Sequence, residues 1–209
     1  METNANTETS KSKEAVKQFL SKGFGPLIKK VLCRPLDLNQ EFKEDDTKVK
    51  SVVMILIAGI LFIFLPYLFV GESRKFLGFR FFLGIGVMVV LALVFIGVLT
   101  WSIKQLYHKK VDFQQELFTG ALCAIPLIIL LVLICIINLF TDHNAFAGMN
   151  MFFGGGIGTL FNVYGFFLMI TICFQSLRSV YIKANTAWYL SPAIVLLSFY
   201  LAIKIVQLV

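Results

Sequence analysis

Two histidines, four cysteines, one acid-rich segment and one glycine cluster are the places where this chain could carry chemistry. A catalytic triad or a histidine metal site needs side chains that can meet. His108 and His143 fall in successive polar connections between long apolar runs. If each run crosses a bilayer, the two connections face opposite sides and the histidines share neither a metal nor a nucleophile. Cys33, Cys123, Cys135 and Cys173 form no CxxC pair and have no zinc-ligand spacing. Three of them lie in apolar runs, where a thiol packs as a small hydrophobe.

The acids after Asp37 suggest a calcium loop, but that loop needs glycine at its sixth position and glutamate at its twelfth. Phe42 and Lys48 stand there. The run Gly154-Gly155-Gly156-Ile157-Gly158 follows no strand, and the third glycine of a dinucleotide fingerprint would fall on Thr159. Intramembrane proteolysis needs an aspartate pair or a buried base. The apolar runs contain no Asp, Glu, Arg or His, and Thr100, Asn138, Asn162, Gln175 and Lys204 are the polar residues that stand out within them. No enzyme activity and no cofactor are expected.

The elements that would position these residues are membrane helices. Hydrophobic residues make up 58% of the 209, above the 45–50% or so of soluble chains. The apolar runs are Ser51–Gly71, Phe81–Ile103, Leu117–Thr141, Asn144–Leu177 and Ala184–Val209. Each exceeds the roughly 20 residues a helix needs to cross the hydrocarbon layer. Glycines open the fourth run, so its span is expected from Ile157. The expected class is all-α: a polytopic membrane protein with spans at about 51–71, 81–103, 117–141, 157–177 and 187–209. Residues 1–12 read as a disordered polar tail and residues 13–50 as a cytosolic amphipathic and linker segment. With no apolar leader in residues 1–30, the first span is expected to direct insertion.

In that segment Val16, Phe19, Leu20, Phe24, Leu27, Ile28, Val31 and Leu32 recur at helical spacing. Lys13, Lys17, Lys22, Lys29 and Lys30 lie opposite them, and Gly23, Gly25 and Pro26 divide the stretch into two short helices. The leading expectation places this arm in the headgroup layer of an anionic leaflet, with Lys13, Lys17, Phe19, Leu20, Leu27, Ile28, Lys29 and Lys30 as surface contacts. Docking on the chain's own cytosolic loops, or on a partner, is the alternative.

Net charge is +7, but the basic residues flank spans, so nucleic acid is not an expected partner. With the N-terminus inside, nine basic residues near the spans are cytosolic and three, Arg74, Lys75 and Arg80, are outside. The positive-inside rule then gives a multi-pass protein of the cell membrane with its C-terminus outside. Gly154, Gly158 and Gly165 share a helix face suited to close packing, with Asn138 and Asn162 as interhelical hydrogen-bond candidates. The opposing surface would belong to this chain, to a second copy or to another membrane protein. The lipid bilayer is the remaining expected partner.

Arg34-Pro35-Leu36 and Glu41-Phe42 precede the first span. Between the second and third, Ser102-Ile103-Lys104-Gln105-Leu106-Tyr107-His108-Lys109-Lys110-Val111-Asp112-Phe113-Gln114-Gln115-Glu116-Leu117 leads into Thr119-Gly120-Ala121-Leu122-Cys123-Ala124-Ile125-Pro126. With the last connection, Gln175–Lys183, this layout resembles the bacterial Yip-domain family over roughly residues 27–209. The resemblance implies five membrane helices, a cytosolic N-terminus and no known catalysis. The expected role is that of a membrane-organising or scaffold protein. The second reading is a small channel or transporter subunit, its path lined by Asn138, Asn162 and the glycines.

Overall fold

Apolar side chains all around a helix leave lipid or other apolar helices as its only favourable surroundings, and the helix satisfies its own backbone hydrogen bonds there. Five such helices form the body of the computed structural model, which describes residues 16–43, 47–69, 74–107, 111–140, 157–180 and 182–208. A short helix, α1 (Phe24–Cys33), precedes them. The long ones are α2 (Thr47–Phe69), α3 (Arg74–Leu106), α4 (Phe113–Phe140), α5 (Ile157–Ser179) and α6 (Ala184–Leu208). The described residues contain no strand.

All five long helices have the length and composition to cross a membrane, over Val49–Phe69, Leu77–Leu106, Phe113–Ile136, Thr159–Ser179 and Ala184–Leu208. The second and third of these extend past the expected spans, bringing Lys104 and Glu116 into the helices. A backbone break at Gly78, with φ of 65°, separates the first turn of α3 from the rest. Glycine takes that left-handed conformation without a Cβ clash. Pro66, Pro126 and Pro192 sit inside α2, α4 and α6.

Helix α4 is central. It packs on α2, α3 and α5, while α6 packs on α3 and α5. In the most apolar stretch of α4, 61% of residues are buried, against 28% in α2 and in α6.

Two close crossings depend on glycine. A Cβ on Gly86 of α3 would stand 2.9 Å from the Gly59 carbonyl oxygen of α2 and would overlap Ile63. A Cβ on Gly120 of α4 would overlap the Leu93 carbonyl of α3, and one on Gly97 would lie 3.0 Å from the Leu117 Cα. Of the glycine face expected to pack closely, Gly165 is buried, and no side chain or neighbouring helix lies within 4 Å of the place of its Cβ. Gly154 lies outside the described residues, as do the surroundings of Gly158 and of the Asn138 side chain.

Ahead of α2 the chain makes a π-helical turn at Phe19–Gly23, then α1, then a 3-10 helix at Pro35–Lys43. The π turn occupies the break expected at Gly23. These pieces fold back on the bundle: the 3-10 helix packs on α5 and α4, and α1 packs on α4.

Candidate functional site

The connection between α3 and α4 is short and tied at several points. Asp112 caps α4: its carbonyl accepts from the Gln115 N–H at 3.1 Å and its Oδ1 from the Gln114 N–H at 3.3 Å. The indole N–H of Trp101 donates to the Val111 carbonyl at 3.3 Å, and the Trp101 ring meets Phe113 edge-on at 6.0 Å. These contacts set the end of α3 beside the first turn of α4, where Lys104 and Glu116 face each other.

Lys104 Nζ lies 2.6 Å from Glu116 Oε1, and the two side chains are only 1% and 4% exposed. Ser176, near the end of α5, completes the cluster. Its hydroxyl donates to Glu116 Oε2 at 3.2 Å and accepts from Lys104 Nζ at 2.9 Å. Thr119 Oγ1 is 2.8 Å from Ser176 Oγ. Because the single hydrogen of Ser176 goes to Glu116, Thr119 is the donor to Ser176, which then makes the one donation and two acceptances open to a hydroxyl. One hydrogen-bonded unit therefore holds three membrane helices together.

Catalysis would require one of these groups to be uncommitted. A serine–lysine dyad needs a neutral amine positioned to take the serine hydrogen. Here the ammonium is ion-paired and the Ser176 hydrogen points to the carboxylate. The arrangement suits a fixed tie. Breaking one partner of a buried pair generally costs about 3–5 kcal/mol, because it strands the other charge.

One helical turn further in, the same α4–α5 interface carries sulfur. Cys123 and Cys173 are fully buried beside each other, and the Cys123 thiol donates to the Met169 carbonyl at 3.9 Å. All four cysteines are free. No group of three or more metal-ligating side chains occurs among the described residues.

The arm covers this end of the bundle. Phe19, Leu27, Val31, Leu38 and Phe42 are buried and join the main core. Phe42 meets Phe118 of α4 edge-on, with ring centroids 6.1 Å apart. Phe19 and Leu27, expected against headgroups, instead pack on protein, with Ile28 partly buried beside them. For these side chains the structure takes the docked alternative, because the bundle end offers the same apolar surface that a membrane would. Lys17 and Lys29 are exposed and Lys30 is half-buried. Lys13 and the Leu20 side chain lie outside the described residues, as do His108 and His143.

Between arm and bundle is a cleft of about 300 Å³, lined by Phe42, Val111, Gln115, Glu116, Ser179 and Val180. Of the interhelical candidates, Asn162 is half-buried on α5, far along the helix from this cluster.

Sequence reasoning missed Lys104, Glu116, Thr119 and Ser176, and the expectation of no acid within the spans is corrected by Glu116. A signal was present. Asp112 with Gln115 three residues on is a helix start, which puts Glu116 inside the helix.

Comparison with curated proteins and with solved structures finds no match. A family model, the Yip1 domain, matches residues 29–204. That range runs from the middle of α1 nearly to the end of α6 and takes in the ion-pair cluster, the cleft and all five long helices. The second half of α1, the 3-10 helix and the bundle beneath them thus fall within one family match, and the chain belongs to the Yip1 domain family.

Proposed function

We propose that this integral membrane protein is a non-enzymatic membrane-organising scaffold of the cell membrane, with its N-terminal arm in the cytosol and its C-terminus outside. The observation that carries the reading is the saturated Lys104–Glu116–Ser176–Thr119 cluster under a docked arm. Its groups bond one another, which favours a rigid body that presents surfaces over a machine that turns over a substrate. The arm and the connections that meet it supply the cytosolic surface, and the outward faces of α2 and α6 supply the membrane surface. Membership of the Yip1 domain family supports the same reading.

Crosslinking in native membrane, followed by purification, tests it. Discrete stoichiometric adducts with membrane proteins or with a second copy are expected, and they should change when Phe42→Ser loosens the arm. In liposomes the purified protein should pass no small solute. Flux abolished by Asn162→Leu would move the assignment to a channel.

A further inference from the structure

The last two helices and the turn between them are unbalanced in charge. From His143 to Val209 the chain contains no Asp or Glu, while Arg178 lies in the last turn of α5 and Lys183 stands just before α6. Both cations are exposed, and among the described residues neither has a carboxylate partner. Glu116, which also bonds to α5, is already committed to Lys104 and Ser176.

Arg178 belongs to the lipid-facing side of its helix. Leu160 and Phe167 precede it on α5 at steps that bring all three to within about 20° of one line along the helix. Those two side chains are 70% and 53% exposed, so the line looks away from the bundle and into acyl chains once the helices are in a bilayer. Arg178 ends this line at the level where the aromatic residues of α6 begin. Its guanidinium sits over the Phe174 ring, 5.7 Å from the centroid, and that ring meets Trp188 of α6 edge-on at 5.8 Å. Trp188 and Tyr189 are 51% and 76% exposed, and such residues concentrate where hydrocarbon gives way to headgroups. The ladder Arg178–Phe174–Trp188 thus fixes a cation over the seam between α5 and α6.

The cations present set the charge of the occupant. A guanidinium carries five N–H donors in a planar fork that matches phosphate oxygens, and Arg178 donates none of them to a described residue. We propose that the α5–α6 seam holds the phosphate of an anionic phospholipid, with Arg178 and Lys183 as its cations. The upper acyl chain lies beside Trp188 and continues down the line of Phe167. The inference needs only a bilayer around the five helices. Its failure therefore leaves the scaffold reading to be judged by crosslinking and solute flux.

Trp188 is one of only two tryptophans, so its fluorescence reports on the seam. Full-length protein carrying Trp101→Phe is placed in bilayers of phosphatidylglycerol and phosphatidylcholine, with bromine on the upper acyl chains of one lipid or the other. If Trp101→Phe does not fold, the difference between the parent and Trp188→Phe isolates the same signal. One unpaired cation near an anionic surface predicts about fivefold enrichment of phosphatidylglycerol beside Trp188. Arg178→Gln combined with Lys183→Gln should bring the ratio to about one. Equal quenching by the two lipids, or a preference unchanged in the double variant, would overturn the proposal. Inorganic phosphate in excess, at constant ionic strength, should leave the preference intact; its loss would assign the site to a soluble phosphate and overturn the lipid.

Discussion

Two helix interfaces in this bundle are held by opposite means. At the α2–α3 crossing, Gly59 and Gly86 let two backbones approach until a carbonyl oxygen lies 2.9 Å from where a side chain would begin. At the arm end of α3, α4 and α5, a lysine, a glutamate and two hydroxyls are buried together, every one bonded to another. Apolar side chains gain little by leaving lipid for a neighbouring helix, so membrane helices associate through close packing and interhelical hydrogen bonds. This chain uses both. Close packing is local and tolerates nothing larger, whereas the polar cluster loses most when one of its two charges is stranded.

That contrast orders the consequences of mutation. Glu116→Leu should act most strongly, lowering stability by about 3–5 kcal/mol because Lys104 is left buried without its partner. Thermal unfolding in detergent, followed by loss of the monodisperse species, reads the effect. Gly120→Val comes next, at about 1–3 kcal/mol, since the added atoms must displace the Leu93 backbone. Gly165→Ala, where the structure has room, should stay within about 0.5 kcal/mol of the parent. A large loss there would mean that the glycine face of Gly158 and Gly165 packs against a partner. Thr119→Val removes one donor from the cluster and should cost about 0.5–1.5 kcal/mol. Phe42→Ser is read on the arm: trypsin should cut sooner after Lys29 and Lys30 while the five helices stay protected.

The same contrast explains what could be read in advance. The five spans were legible because apolarity on every side of a helix has one physical outcome. The arm's amphipathic stripe was legible too, but not its direction: Phe19 and Leu27 would bury as well against headgroups as within the protein's own core. The ion pair was not seen because a charge at the end of an apolar run reads as the start of a solvated connection. Its hydroxyl partner Ser176 is 60 residues further along from Glu116, and no local pattern links them. A GxxxG spacing likewise describes one helix only. The glycines that make contact, Gly59 with Gly86 and Gly97 with Gly120, pair across two helices.

A double-mutant cycle at Lys104 and Glu116 tests the central claim, that the buried cluster is a mutually satisfied tie between spans. Unfolding is measured for the parent, Lys104→Met, Glu116→Leu and the double variant in the same detergent. The account predicts that each single change destabilises severely and that the double variant recovers most of the loss, because apolar side chains of similar size replace the pair and no charge is stranded. Additive losses in the double variant would contradict it, showing that the two residues act separately and that the cluster does not hold the helices as one unit.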